Sequence, residues 1–204
     1  IMKKRIIKKV RILSAVLILA AVLGSAGTAS AREWKPDASH TGIGFGVKHI
    51  FSTVWGHFSD YDATIVFDPD ALDRSRFDFT VRVKSVNTAN GKRDNHLRSG
   101  DFFDADRYPV MRFTSEKIMH QSDNRYVVEG TFEIKETRKK MKIPFIFHGT
   151  APSPFNKKQI VAGFDTQFEI NRLDFGVGTG KFKKMGVVDD MVRVMITLEA
   201  IGSK

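Results

Sequence analysis

The segment RFDFTVRV, residues 76–83, alternates apolar and polar side chains without a break. Phe77, Phe79, Val81 and Val83 fall on one face of an extended chain, and the polar residues fall on the other. Because successive side chains point to opposite faces of a β-strand, this period of two is typical of a strand with one buried and one solvated face. One solvated face is usual in antiparallel sheets. The segment therefore predicts an antiparallel strand.

The same alternation recurs in seven further segments. These predicted strands cover residues 43–47, 62–67, 110–117, 128–135, 142–149, 160–170 and 191–201. Turn-forming runs such as Asp68-Pro69-Asp70 and Ser122-Asp123-Asn124 separate them. Only residues 92–103 have a helical pattern, so few helical faces exist to cover an open sheet.

These features predict an all-β fold, either an antiparallel barrel or a sandwich. Closure into an eight-stranded barrel with a short helix buries every apolar row and removes the sheet edges. A barrel of eight strands either is filled by its own side chains or holds one ligand. All 17 Phe lie beyond residue 31, against two Trp and three Tyr. Because Phe provides apolar area without a polar group, this excess indicates a large apolar interior.

Residues 1–31 have the organisation of a secretory signal peptide. A basic segment that includes Lys3 and Arg11 precedes an apolar run, residues 12–23, and Ala29-Ser30-Ala31 fits the small-x-small cleavage rule. The alternative is a retained membrane anchor, but a spanning helix needs about 20 apolar residues. We therefore expect cleavage near Ala31, a periplasmic location, and one domain over residues 32–204.

The charge of the chain changes when this leader is set aside. Six of the 33 Lys and Arg and none of the 23 Asp and Glu lie in residues 1–31, so the remainder carries a net charge of +4 instead of +10. The high charge of the full chain is thus no argument for nucleic-acid binding. A transient contact with an anionic membrane surface is one expectation, and plain solubility is the alternative.

A search for catalytic and metal-binding patterns predicts neither function. The chain has no cysteine, no GxSxG and no HExxH, and its six His form no HxH or HxxxH pair. The glycine-rich run Gly176 to Lys181 fails as a phosphate loop, because Phe175 and Phe182 replace the required Gly and Ser or Thr. No catalytic residue, metal ligand or cofactor is therefore expected.

One polar cluster lies before an aromatic pair. Residues 92–98, KRDNHLR, contain three cations and a His, and Phe102-Phe103 follow. Such a cluster could form an anion-binding rim at the mouth of a pocket. A solvated helical face with local ion pairs is the alternative, and the sequence leaves both open.

Several motifs together resemble one known family. They are Trp34-x-x-Asp37-x-x-His40, Arg93-Asp94-x-His96-Leu97, Asp101-Phe102-Phe103-Asp104-Ala105 and Asn171-Arg172-Leu173-Asp174-Phe175-Gly176. In this order along the chain they are similar to the YceI-like polyisoprenoid-binding family. The resemblance implies a lipocalin-like eight-stranded barrel with a hydrophobic tunnel. It also implies a periplasmic protein that binds a polyprenyl phosphate or an isoprenoid quinone.

The inward apolar rows and the polar cluster supply the candidate site residues. The predicted lipid-binding wall consists of Phe45, Val47, Ile65, Phe67, Phe79, Val81, Leu97, Phe102, Phe103, Phe132, Ile134, Phe168 and Ile196. The predicted head-group residues are Arg93, His96, Lys48, His49 and Arg172. Two alternatives stay open: a stress-related module without lipid, and a helper of quinone-linked electron transfer. The oligomeric state is also open, a homodimer included.

Overall fold

The computed structural model describes residues 31–204, so the predicted signal peptide lies outside the described residues except for Ala31. Eleven strands and two short helices make up this part of the chain. The strands are β1 (Arg32–Pro36), β2 (Gly42–His49), β3 (Ser52–Phe58), β4 (Tyr61–Phe67), β5 (Arg76–Arg82), β6 (Val86–Asn87), β7 (Val110–Ser122), β8 (Arg125–Ile134), β9 (Thr137–Pro152), β10 (Gln159–Asn171) and β11 (Val188–Ser203). The helices are α1 (Gly91–Arg98) and α2 (Lys181–Lys184). Within residues 31–204, no helix has the length and apolar character needed to cross a membrane.

The sheet closes on itself through β1. The strands follow one another around the ring in the order β1, β4, β5, β7, β8, β9, β10 and β11, and β11 then pairs with β1. All these pairs are antiparallel; Trp34 faces Ile65 across one side of β1, and Lys35 faces Ile201 across the other. The predicted all-β, eight-stranded antiparallel barrel is therefore confirmed.

The remaining strands, β2, β3 and β6, extend the sheet beyond the closed ring at one end of the barrel. β2 continues β1 along β11, from Thr197 opposite Gly42 to Val188 opposite His49. β3 pairs with β2, and the two-residue β6 pairs with β3. At this end β6 has no sheet partner on its other side among the described residues. The segment 88–109, which contains α1, connects β6 to β7.

The predicted elements agree with the structure except at some of their ends. Each of the eight predicted strands overlaps an observed strand, but β5 ends at Arg82 because Val83–Ser85 form a 3-10 turn, and β8 ends at Ile134, one residue before the predicted end. The predicted helix over residues 92–103 is too long, since α1 ends at Arg98 and Ser99 is extended. Ser99-Gly100 is a poor helical pair, which accounts for this early end. β1, β3 and the two-residue β6 were not predicted.

The end of the barrel that contains β1 is filled with aromatic rings. Phe67 lies at its centre, with the rings of Phe147 at 5.0 Å, Tyr126 at 5.4 Å and Phe164 at 5.4 Å between centroids. Phe77 also packs on it, with the two rings tilted by 33°, and Phe145 packs on it edge to face. Phe67 is 1% exposed. We call these six residues the aromatic plug; Phe77, Phe145 and Phe164 also border the cavity described below, so the plug forms the closed end of that cavity.

A glycine in β2 provides a flat site for an aromatic ring on the outside of the barrel. A Cβ atom on Gly46 would lie 2.5 Å from the ring of Trp55 on the adjacent strand. Glycine therefore allows the indole to lie across β2, an arrangement that stabilises strand pairs that contain glycine. The close neighbour of this glycine is thus an aromatic ring.

Candidate functional site

An internal cavity of about 430 Å³ occupies the barrel beyond the aromatic plug. This volume lies within the range of about 300–1,000 Å³ that is usual for small-molecule sites. Its wall is formed almost entirely by the inward apolar rows of the strands. Representative wall residues, drawn from eight of the strands, are Ile43, Phe45, Val54, Phe79, Val81, Met111, Phe132, Ile134, Ile143, Phe168, Ile170, Val192, Val194 and Ile196. We call this cavity the tunnel.

The exposure of the wall shows that the tunnel is not filled by side chains. Phe45, Phe132, Phe168 and Val194 point into the barrel, yet each is only partly buried. A side chain in a close-packed interior has no such accessible surface, because cores pack at crystal-like density. The solvent-sized space that touches these residues therefore lies inside the barrel.

The structure brings together twelve of the thirteen predicted wall residues around the tunnel. The exception is Phe67, which is enclosed by the other rings of the aromatic plug and does not border the cavity. The assignment of Phe67 to the wall is therefore wrong. The alternation gave its inward orientation correctly, but not the packing around it. The binding of a lipid by the other twelve stays a prediction.

Other wall residues were missed by the sequence reasoning for two reasons. Ile43, Val192 and Val194 belong to inward rows that the alternation had identified, and parity alone would have included them. Val177 and Phe182 come from the segment between β10 and β11, which has no periodicity. No local signal in the sequence indicates that this segment folds over the barrel.

We call the end of the tunnel that lies away from the aromatic plug its mouth. The polar side of this mouth is built around α1. Arg93 donates from Nε to Oγ1 of Thr88 at 2.7 Å and from Nη2 to the carbonyl of Thr88 at 2.7 Å. The hydroxyl and backbone N–H of Thr88 both donate to the buried carboxylate of Asp94. Arg93 forms no ion pair within residues 31–204, so its charge is held at the mouth by neutral partners.

Arg172 is the most deeply buried cation of the mouth. It is 6% exposed, and it donates from Nε to the carbonyl of Asp189 at 2.9 Å and from Nη1 to the carbonyl of Val177 at 2.7 Å. Its Nη2 has no hydrogen-bond partner in the described part of the chain. Both of its hydrogen-bond partners are backbone carbonyls.

The electrostatic state of Arg172 follows from this burial. Desolvation lowers the pKa of its guanidinium from the ordinary value, because a low-dielectric site disfavours the charged form. The carboxylates of Asp190 and Asp189 raise the pKa in part. A buried charge with an unused donor is costly unless a partner arrives. The Nη2 atom has almost no accessible surface, so Arg172 acts at the mouth through its positive charge, which favours a negatively charged ligand group nearby.

The glycine-rich run after β10 wraps around this guanidinium. A Cβ atom on Gly178 would lie 2.3 Å from Nη1 of Arg172, and Gly178 has a φ of +86°, which also favours glycine. Lys135 donates to the carbonyls of Phe102 and Gly176 and so ties this loop to the segment after α1. The run that fails as a phosphate loop thus positions Arg172 against Phe102, with the guanidinium 5.8 Å from the ring centre.

The other predicted head-group residues divide between the tunnel and the outer surface. His49 and His96 line the tunnel mouth, and His96 also lies 3.0 Å from the carboxylate of Asp101. Lys48 does not line the tunnel. It occupies the opposite parity of β2 to Val47 and His49, so its side chain lies on the exposed outer face. The side chain of Lys48 therefore points away from the tunnel, and the structure does not bring it together with the other head-group candidates.

Comparison with known proteins places this arrangement in a family. The model of the YceI-like domain matches residues 34–200, which is nearly the whole of the barrel. The chain belongs to the YceI-like family. The resemblance seen in the sequence motifs is therefore confirmed.

Relatives of known sequence or structure extend this finding. A UPF0312 protein of Pectobacterium atrosepticum is 30% identical over 185 residues, which cover 89% of this chain and 93% of that protein. The crystal structure of BcnA of Burkholderia cenocepacia is similar with a TM-score of 0.73 and 26% identity, over 81% of this chain and 99% of BcnA. A polyisoprenoid-binding domain of Saccharophagus degradans has a TM-score of 0.59 at 14% identity, over 86% of this chain and 99% of that domain. The last likeness concerns the fold alone.

Proposed function

We propose that this protein is a periplasmic carrier that holds the tail of a long-chain isoprenoid lipid in its tunnel. The observation that carries the proposal is the unfilled apolar cavity of about 430 Å³, walled by the partly buried inward rows. A dry cavity of about 150 Å³ already binds benzene. An empty tunnel of this volume favours a ligand over a module that lacks one, because an unfilled core costs stability without a gain in function.

Burial of the tail supplies the affinity. Transfer of each methylene-sized group out of water is worth about 0.8 kcal/mol before the costs of ordering. After these costs about 0.3 kcal/mol per heavy atom is retained for larger ligands. One five-carbon isoprene unit therefore contributes about 1.5 kcal/mol, or roughly a factor of ten in affinity. The head group then sets orientation and selectivity.

The polar mouth gives the head group its place. Arg172, Arg93 and His96 all border the tunnel, the last two from α1. Oxygen acceptors such as a phosphate or a quinone carbonyl match these donors, and a phosphate gains more because charge-assisted hydrogen bonds are stronger. We therefore propose a head group bound at Arg172 and Arg93, with the tail directed toward the aromatic plug.

The family relationship supports a role in binding over one in catalysis. The YceI-like match covers the barrel, and a solved relative of the same fold is named as a polyisoprenoid-binding domain. The specific ligand, the periplasmic location and the absence of turnover belong to the proposal. A quinone ligand would leave open the role of an electron-transfer helper, and the identity of the bound lipid decides between these cases.

Mass spectrometry of solvent-extracted, natively purified protein tests the proposal. We expect an isoprenoid in the wild type and none in Phe132→Asp, because a carboxylate in a dry tunnel is costly. Phe155→Asp is the matched control, since Phe155 is 96% exposed and does not line the tunnel. It should retain the lipid.

Two results would contradict the proposal. One is the absence of any isoprenoid from the wild type both as purified and after incubation with an isoprenoid extract. The other is a Phe132→Asp protein with the circular dichroism of the wild type that retains the same lipid at the same level. The first result would favour a module without a lipid ligand.

A further inference from the structure

Large apolar side chains are exposed together at the tunnel mouth. Ile50, Phe51, Trp55, Met185 and Met191 are between 40% and 99% exposed, and we call them the mouth patch. Within residues 31–204, only one other large apolar side chain, Phe155, has a comparable exposure. From the mouth patch and the charges around it, we infer that the tunnel mouth docks on an anionic lipid bilayer. This inference rests on the proposed lipid carrier function.

The mouth patch is built from three adjoining segments. They are the β2–β3 hairpin, the end of α2 and the start of β11, which contains Met191. The β2–β3 turn carries Ile50 and Phe51 at its tip, and the N–H of Ile50 donates to the carbonyl of Val187 at 3.0 Å. Met185 lies two residues before Val187, at the end of α2. His49 and Val187, which flank the patch, both line the tunnel. The exposed apolar residues and the tunnel mouth are therefore parts of one surface.

The tip of the turn has residues that neither packing nor turn conformation explains. Phe51 is 99% exposed, so its ring gains nothing from the fold. Ile50 has a φ of +52°, which is strained for a β-branched residue and is usually adopted by Gly or Asn. Residues that break local preferences are expected at functional sites. An apolar partner outside this chain accounts for both.

The charges that surround the mouth patch are predominantly positive. Lys48, Lys181 and Lys184 are exposed and form no ion pair within residues 31–204. Lys183 pairs with both Asp189 and Asp190, so these three groups together carry one net negative charge, against three positive charges on the unpaired lysines. Exposed aromatic and aliphatic side chains flanked by free lysines match a membrane interface that carries anionic lipids.

Docking on a bilayer would serve the proposed carrier function by allowing transfer of the lipid tail. A long isoprenoid has its reservoir in a bilayer, and a mouth that faces water would expose the tail during each transfer. Contact between the mouth patch and the bilayer would let the tail pass from one apolar medium to the other. The aromatic plug at the opposite end makes this mouth the side from which the tail is admitted.

The two tryptophans provide a direct assay. Trp55 belongs to the mouth patch, whereas Trp34 is 3% exposed at the plugged end. Purified protein is titrated with vesicles of phosphatidylcholine alone and of phosphatidylcholine with phosphatidylglycerol. We expect a blue shift of Trp55 fluorescence and cosedimentation with the anionic vesicles, both reduced by salt.

Matched variants locate the docking surface. Phe51→Ser should weaken partition to anionic vesicles by about 10- to 100-fold, as expected for the loss of one buried phenyl ring. Phe155→Ser, an equally exposed phenylalanine at the other end, should partition as the wild type does. Substitution of Lys48, Lys181 and Lys184 by Gln should cost about fivefold per lysine on anionic vesicles.

The inference is overturned if Phe51→Ser and Phe155→Ser partition equally, or if neither vesicle type binds the wild type. It is also overturned if sedimentation shows a dimer that Phe51→Ser dissociates, which would assign the mouth patch to a second copy of the chain. Lipid content is measured on the same samples. If the protein retains isoprenoid but does not bind vesicles, the docking inference fails and the carrier function stands. If it binds vesicles but contains no isoprenoid, the carrier function fails and the docking surface stands.

Discussion

The two ends of this barrel are made from the same alternating strands but have opposite interiors. At the plugged end, Phe67 is surrounded by five aromatic rings and is 1% exposed. At the mouth end, Phe132 and Phe168 also point inward, yet both border free space. Some strands contribute to both ends; β5, for example, places Phe77 among the rings of the plug and Phe79 on the tunnel wall.

The difference lies in what meets each ring across the barrel axis. In the plug, rings from β4, β5, β8, β9 and β10 converge on one point, and Trp34 donates from Nε1 to the carbonyl of Phe67 at 2.9 Å. At the mouth end, the short strand β6 pairs with β3, and the inward side chains of β2, β8, β10 and β11 border the tunnel. The plug therefore stabilises the fold, and the mouth end keeps the space for a ligand.

The largest expected effect separates the two ends by stability. Phe67→Ala should lower the free energy of unfolding by about 3–5 kcal/mol, because it opens a cavity in a close-packed cluster. Phe132→Ala should cost clearly less, since part of that ring already faces free space. Urea denaturation of the delipidated proteins measures both. Equal losses would mean that the tunnel wall is packed as tightly as the plug.

A second effect concerns the head group at the mouth end. Arg172→Met should weaken binding of a polyprenyl phosphate by about 10- to 100-fold, the range for loss of a charge-assisted hydrogen bond. Binding of the matching alcohol, measured by the same competition assay, should change much less. Arg172→Lys is the control that keeps the charge without the planar fork. An equal loss for phosphate and alcohol would assign Arg172 a structural role.

Tail length gives a third and more gradual effect. The dissociation constant of a prenyl phosphate should fall about tenfold for each added isoprene unit. The gain should stop when the tail reaches the aromatic plug. Isothermal titration with a series of prenyl phosphates measures this dependence. An affinity that is independent of tail length from the shortest member onward would contradict tail burial.

The smallest effect lies where the two ends join. His40 and Asp37, between β1 and β2, are 2.9 Å apart, and Glu199 lies beside them. The hydrogen bond between His40 and Asp37 raises the pKa of His40 above 6.5 and lowers that of Asp37 below 3.8. The stabilising contribution of the pair is therefore present between these two values. It is lost as the pH rises through the raised pKa of His40 or falls through the lowered pKa of Asp37.

An NMR titration checks this assignment. The ring of His40 should titrate at a higher pH in the wild type than in Asp37→Asn, with lipid binding unchanged. If the titration of His40 is the same in both proteins, the ion pair does not form in solution.

The alternation of residues 76–83 and of the other segments was sufficient to predict the barrel, because the period of two fixes which side chains point inward. It could not separate Phe67 from Phe79, since both point inward and only the register of distant strands decides what they meet. The exterior position of Lys48 follows from parity alone and was overlooked. The partners of Arg172 depend on a loop of positive-φ glycines, whose path no local pattern indicates.

The most direct test of the hollow mouth end is a crystal structure of the delipidated protein soaked with a long-chain bromoalkane. Anomalous scattering from bromine should appear along the tunnel between Phe45, Phe132 and Phe168, and not among the rings around Phe67. Inward side chains that meet across the axis at the mouth end, with no bromine between them, would contradict the account.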